Sequence, residues 1–357
     1  MKTGSPTIHL AIFLLLISCL DVSAQSEGDS LLNFIQQNKA RSSVYLQENG
    51  LVTASLNENK LMPLATTVNI MVAIEFARQA AAEVFDVNQN ISLGSVNRYY
   101  IPGTDEDAHP AWLKYEMEKG HFQNDSIKLI DVARGMMMFG SHANTEFIMD
   151  LLGYDNIQNN IPSLGLINHT AIYPMVSSLF MYQNPRKFKE SKILKEIDDL
   201  TEEDYSKFIL WIHNELKTDS AYKEKFNLKD FTPPMHKLWN ERLPSSTTKE
   251  YVKVISILNK RGFFNTNIYG SLADILETLM ESSDNRRLFR HGGMMGGSTL
   301  FVLTKALYIT LMDGTRIEMA YFFNDLSAKE NSSLQRWMSN FEFRVITDDK
   351  FRERIKF

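Results

Sequence analysis

The chain has 357 residues, 44% hydrophobic and 23% charged, with a formal net charge of −5. At this length the apolar surface can be buried without disulfide staples, in one large domain or two intimate ones, and 4 Trp, 13 Tyr and 22 Phe supply bulk for it. The acidic balance gives no footing to nucleic-acid binding.

The N-terminus, "MKTGSPTIHLAIFLLLISCLDVSAQS", joins one Lys to an apolar run from Ile8 to Leu20 and a small-residue site at Val22-Ser23-Ala24. That pattern predicts a secretory signal over residues 1–24, too short for a transmembrane span. The alternative is a bacterial lipobox at Leu16-Ile17-Ser18-Cys19, whose cysteine would be acylated and kept as a membrane anchor. Either way the protein is expected to be exported, periplasmic or extracellular. Cleavage after Ala24 removes the only cysteine and leaves the net charge at −5.

The mature part, 25–357, then reads as follows. "SLLNFIQQNKA" predicts a short helix, and "SSVYLQENGLVTASLNENK" a β-hairpin turning at Asn49-Gly50. A long Ala-rich helix is expected from Thr67 to about Phe85, with Ile70, Ile74 and Ala77 inward. A second helical block opens with Asp125 as N-cap, runs through "SIKLIDVARGMMMF", pauses at "GSHANTE" and resumes in "FIMDLLG" until Gly153. The polar stretch of about 186–243, broken by Pro233-Pro234, reads as an insertion or lid. Thr247 with Glu250 predicts a capping box for "KEYVKVISILNK". The C-terminal part holds two β-rich runs joined by Asp313-Gly314, then a last helix, "SSLQRWMSNFEF". An isolated hairpin is marginal in water, so strands from both ends of the chain should meet in one sheet. The expectation is an α+β fold: an α/β lobe (about 30–65 and 285–357) carrying an antiparallel sheet, and an all-helical lobe (about 66–284) inserted between. The seam between them is the natural cleft.

Four phrases at these junctions, "PLATTVNIMVAIEFARQ", "IDVARGMMMFGSHANTEFIMDLLG", "RHGGMMGGSTLFVLTKALY" and "DGTRIEMAYFFNDL", resemble the class A β-lactamase and penicillin-recognising serine hydrolase family. The resemblance covers most of residues 30–345 and is weakest between about 155 and 245. The family's signatures are S-x-x-K, S-D-N and K-T-G. Their serine attacks an amide carbonyl, a lysine one helical turn on handles its proton, a second serine and lysine relay it to the leaving nitrogen, and two backbone N–H groups hold the oxyanion. The resemblance implies hydrolysis of a β-lactam or a peptidoglycan peptide through an acyl-enzyme.

Carried over, the nucleophile falls on Thr66 and its lysine partner on Asn69. Threonine keeps a hydroxyl but adds a β-methyl, and the asparagine amide cannot take a proton at neutral pH. The second motif falls on Gly140-Ser141-His142, or, slipped by one residue, makes Ser141 the proton-relay serine. The third falls on His291-Gly292-Gly293, with histidine for lysine and Gly292 and Gly293 on the substrate-binding strand. The loop "INHTAIYPMVSSLF" offers no glutamate where class A enzymes keep their deacylating base.

Each of these positions also has an ordinary structural reading. Thr66 can cap a helix start, Asn69 can be a buried hydrogen-bonding residue, and His142 and His291 can be structural, although each could also serve Thr66 as base. "MMM" at 136–138 reads as core filling. "GGMMGG" lacks the Lys-Ser/Thr of a phosphate loop and reads as close backbone packing. The run "KFKESKILKEIDDLTEEDYSK" reads as a solvated helical face. The histidines show no metal-ligand spacing, so neither metal nor cofactor is expected. Members of one proton-transfer unit fail together. The expected protein is therefore an exported β-lactamase-like pseudoenzyme or weak hydrolase, with a β-lactam, a cell-wall peptide or a protein partner as ligand.

Overall fold

The computed structural model describes residues 22–357. The lipobox and most of the signal lie outside the described residues. Helix α1 (Val22–Gln37) precedes strands β1 (Ser42–Glu48) and β2 (Leu51–Leu56), and a 3-10 turn, Ala65–Val68, runs directly into α2 (Asn69–Ala81). Then come α3 (Ala108–Lys119), α4 (Leu129–Phe139) and α5 (His142–Leu152). The polar stretch holds α6 (Glu190–Asp198), α7 (Glu202–Thr218) and α8 (Pro233–Arg242). Helices α9 (Thr248–Lys260) and α10 (Thr266–Leu276) return the chain to β3 (Phe289–Ser298), β4 (Leu303–Leu311) and β5 (Arg316–Phe323), and α11 (Ala328–Thr347) and α12 (Asp349–Arg354) end it.

The five strands form one antiparallel sheet in the order β2-β1-β5-β4-β3. The N-terminal hairpin thus joins the C-terminal strands, with Val44 opposite Tyr321. Its turn has positive φ at both Asn49 (54°) and Gly50 (84°), the geometry that an Asn-Gly pair favours. Strand β5 alternates as a sheet covered on both faces must. Ile317, Met319, Tyr321 and Phe323 pack with Leu31, Ile35, Leu334 and Phe341 of α1 and α11. Ala320 and Phe322 join the other core, with Tyr251 and Ile255 of α9.

Helix α2 is the spine of the helical part. Every residue from Asn69 to Ala77 is buried, which identifies a core helix rather than an amphipathic one. Met136 and Met137 fill the core beside it, as the methionine run suggests. The polar stretch has a separate apolar cluster in which Ile193, Ile197, Tyr205, Ile209, Met235 and Trp239 pack with Tyr173 and Met175. Its charged run is therefore solvated on one face only.

Four local expectations are corrected. The helix expected from Thr67 to Phe85 starts two residues later and ends at Ala81, where Glu83 turns left-handed (φ 55°). Asp125 caps no helix: Asn124 and Asp125 have φ of 47° and 57° and form a tight turn, Ser126–Lys128 then pairs with Asn90–Ser92, and α4 begins only at Leu129. The glycine-rich run before Thr299 is itself the ten-residue edge strand β3. Thr247 does accept from the Glu250 N–H (3.1 Å), but the Glu250 carboxylate accepts from the N–H groups of Ile167 and Asn168 (2.7 and 2.9 Å) instead of closing a capping box. The full box is at Ser327 and Glu330, at the start of α11.

Candidate active site

The turn before α2 is clamped from three directions. The Leu64 N–H donates to the Pro244 carbonyl (2.9 Å), its carbonyl accepts from Thr304 Oγ1 (2.7 Å), and Thr304 meets Thr67 Oγ1 at 2.8 Å. Between Leu64 and Thr66, Ala65 has φ 45°, a left-handed conformation that a residue with a Cβ holds at a cost of about 1–3 kcal/mol. That kink lifts Thr66 toward β3.

Thr66 is 7% exposed, and its Oγ1 donates to the Gly296 carbonyl at 2.9 Å. The cap reading of this hydroxyl is therefore corrected, because its partner is a neighbouring strand rather than a helix N–H. The next residue of that strand, Gly297, comes so close that a Cβ there would lie 2.6 Å from Thr66 N and 2.8 Å from Leu64 O.

Asn69 lies three residues beyond Thr66, and its N–H returns to the Thr66 carbonyl. Its side chain is fully buried. Nδ2 donates to Thr145 Oγ1 (3.1 Å), and Oδ1 has no hydrogen-bond partner among the described residues. Thr145 donates in turn to the Ser141 carbonyl (2.9 Å), which ties α2 to the first turn of α5.

Gly140 faces Thr66. A Cβ on it would sit 3.8 Å from Thr66 Oγ1, room enough for a side chain, but φ 72° favours glycine. Ser141 is fully buried and N-caps α5, and its Oγ is bound to His109 Nδ1 (2.9 Å) and donates to Asn144 Oδ1 (2.9 Å). The slipped register, with Ser141 as relay to Thr66, is thereby corrected: the residue at the relay position is Gly140. His142 is buried, with Nδ1 unpartnered among the described residues, and burial holds its imidazole pKa below the ordinary value, against the pull of Asp105 and Glu146.

The third motif is also corrected. His291 stands five residues before Gly296 on the same strand, roughly 16 Å away at about 3.3 Å per residue. It lies 3.5 Å from Glu277 Oε1, in a cluster where Arg261 and Tyr308 also bind that carboxylate. Gly292 and Gly293 admit the close approach of Ile309 and Tyr308 from β4. The glycine pair that meets Thr66 is Gly296-Gly297, so the lysine position of K-T-G corresponds to Met295, 3% exposed in the helical core. The physical reason for the misplacement is that "GG" occurs twice, four residues apart. An even shift along a strand keeps every side chain on its own face, so alternation cannot choose between the two registers.

The loop "INHTAIYPMVSSLF" supplies no carboxylate but is held by one. Ser177 donates through its N–H and Oγ to Glu146 (2.9 and 2.7 Å), and His213 Nδ1 meets the same carboxylate at 3.0 Å.

The Thr66 hydroxyl thus stands at a helix start against the edge strand of the five-stranded sheet. The family model described as "Beta-lactamase enzyme family" matches residues 28–276, and the chain belongs to that family. Its fold is similar to a class A β-lactamase from Bacteroides cellulosilyticus (TM-score 0.52, 13% identity, covering 91% of this chain and 99% of that one). A β-lactamase from Sphaerobacter thermophilus is similar as well (0.54, 13%, 90% and 97%). So is a PBP-A variant captured as an acyl-enzyme with penicillin G (0.52, 12%, 90% and 96%). No protein with a curated description matches the chain. Among the described residues, no helix is long and apolar enough to cross a membrane.

Proposed function

We propose that this β-lactamase-family protein is exported, has lost the acyl-enzyme chemistry of its fold, and works by binding, with a β-lactam-like or cell-wall peptide ligand at the seam or a protein partner on the polar insertion. One observation carries the reading: the Thr66 hydroxyl spends its proton on the Gly296 carbonyl (2.9 Å). A carbonyl cannot carry that proton away, and the positions that should supply a base and a relay hold Asn69, Gly140 and Met295. On the insertion, Phe208 and Trp211 stand half exposed about one turn apart on α7, which suits a protein contact. Export rests on the N-terminal sequence. Cleavage after Ala24 is compatible with α1, whose Gly28 N–H donates to Asn340 and whose Asp29 pairs with Arg344 and Arg354, all beyond the cut.

The test is intact-mass analysis after incubation with a reactive β-lactam. No covalent adduct is expected, and an adduct mapped to Thr66 would overturn the proposal. A weak hydrolase using Thr66 with His142 as base is the second reading, favoured by a His142 Nδ1 with no hydrogen-bond partner among the described residues and by the burial that weakens the ring's hold on a proton. It requires turnover of an ester or amide reporter that is already on its plateau at neutral pH and vanishes in Thr66→Ala.

A further inference from the structure

Away from the seam, three ligand-type side chains converge where α3 hands over to α4. Helix α3 ends at Gly120 (φ 71°), which reverses the chain so that the His121 N–H bonds the Glu116 carbonyl (3.1 Å) and the imidazole folds back beside the Glu116 carboxylate. His121 Nδ1 lies 2.6 Å from Glu116 Oε2 and 3.8 Å from Asp131 Oδ2, in the first turn of α4. One nitrogen and two carboxylate oxygens thus lie within 4.8 Å of one another.

Both carboxylates are buried, Glu116 at 2% and Asp131 at 8% exposure. Trp112 Nε1 donates to Glu116 Oε1 (3.1 Å) and to the Asp131 carbonyl (3.2 Å), fixing the two carriers to each other. The Asp131 carboxylate receives no hydrogen bond among the described residues. Arg134, on the same helix, is taken by Glu281 and the Asp274 carbonyl, and Lys128 is exposed on the segment before α4. Two buried carboxylates against one imidazole leave an excess of negative charge in a low dielectric, an arrangement that is costly unless a cation shares it.

We propose that Glu116, His121 and Asp131 form a binding site for a divalent transition cation, Zn2+ by preference. Zinc bonds of about 2.0–2.2 Å to N and O ligands set neighbouring donor atoms on the order of 3.3 Å apart in a tetrahedron. The two separations from His121 Nδ1, 2.6 and 3.8 Å, bracket that value and the two carboxylate oxygens lie within 4.8 Å of each other, so closing the set asks only for side-chain rotation. An imidazole among the donors disfavours Mg2+ and Ca2+, which take oxygen ligands. The His121 side chain is 42% exposed, which gives the cation an entry path and leaves a coordination position for water or an external ligand. The site ties the end of α3 to the start of α4, the helix whose other end sets Gly140 against Thr66.

The experiment uses the mature chain, stripped with a chelator and titrated with Zn2+. Calorimetry, metal content after gel filtration, thermal midpoint and tryptophan fluorescence are read, the last because Trp112 touches a ligand. One Zn2+ per chain and a raised midpoint are expected. In His121→Ala, a half-exposed position whose loss the fold tolerates, Zn2+ affinity should fall at least about tenfold and the rise in midpoint should shrink, with circular dichroism confirming the fold. Asp131→Asn should weaken binding as well. No uptake by the wild type, or equal uptake by wild type and His121→Ala, would overturn the assignment.

Discussion

Replacing Gly297 with alanine puts a methyl carbon 2.6 Å from Thr66 N, 2.8 Å from Leu64 O and 2.9 Å from Ala65 Cβ. None of these atoms is the free end of a flexible side chain. Two belong to the backbone of a turn held by the Pro244 carbonyl and the Thr304 hydroxyl, and the third is the Cβ of the left-handed Ala65, so relief requires β3 and the turn to move apart. Overpacking of this kind costs about 1–3 kcal/mol, and the rigid partners place this site at the upper end. Alanine recovers about 0.4–1 kcal/mol by restricting the unfolded chain, which leaves a net loss of about 2 kcal/mol. For a 357-residue chain the unfolding entropy is roughly 0.7 kcal/mol per kelvin, so the thermal midpoint should fall by about 3 °C. Gly270→Ala is the control. That glycine is exposed within α10, and a Cβ there meets nothing within 4 Å, so the same change should add about 0.5–1 kcal/mol. Urea or thermal unfolding of both variants beside the wild type measures the pair. A Gly297→Ala protein as stable as the wild type would mean that β3 does not meet Thr66 through Gly296-Gly297, and the placement of the third motif would fall with it.

Thr66→Val keeps the β-branch and removes the bond to the Gly296 carbonyl, so unfolding in urea should show a loss of about 1–2 kcal/mol. An unchanged midpoint would mean that the hydroxyl is free, the state a nucleophile needs. Stability should also depend on pH through His213. Burial pulls its imidazole down, but hydrogen bonds and charge from Asp150 and Glu146 outweigh this and raise it to about 9. A group bound more tightly to its proton in the folded state stabilises fully below its unfolded value, near 6.5, and the contribution disappears as pH rises through about 9. Urea midpoints measured from pH 6 to pH 9.5 should therefore fall by an amount on the order of a few kcal/mol, and His213→Gln should flatten that decline. A flat wild-type profile would refute the linkage.

What could be read from the chain was whatever local chemistry decides. Asn49-Gly50 dictates its turn, the Ala- and Ile-rich run its helix, and Gly153 a helix stop. Strand β3 was hard to see because four of its ten residues are glycine, chosen for close approach to β4 and to residues 64–66 rather than for strand propensity. The helix limit at Asp125 failed for a related reason. Asx residues serve equally as caps and as left-handed turn residues, and the deciding partner, Asn90–Ser92, is remote in sequence. Thr66, Asn69 and Gly140 are reachable only through the family resemblance, whose quoted phrases fall at or beside helix ends. His291 could not be placed, because repeated glycine pairs leave the register of an edge strand undetermined. His109 and Glu146, which organise the polar groups around α5, carry no motif at all.

On the proposed reading, the conformation of the turn that presents Thr66 and the loss of the groups that would handle its proton have separate physical causes. Ala65 stays in a strained conformation because its neighbours are bound on both sides: Leu64 to Pro244 and Thr304, Thr67 to Thr304, and Thr66 to Gly296. A strain of about 1–3 kcal/mol is covered by those bonds and by the contact with Gly297, none of which takes part in proton transfer. The Asn69 amide ties α2 to α5 through Thr145, Gly140 has no side chain and a φ of 72°, and Met295 packs in the core, so none of the three supplies the bonds that hold the turn. Restoring a serine and a lysine at positions 66 and 69 would then rebuild only half of the machinery: the hydroxyl would still face a carbonyl, with no relay at position 140 and no cation at position 295 to move the proton on to a leaving nitrogen.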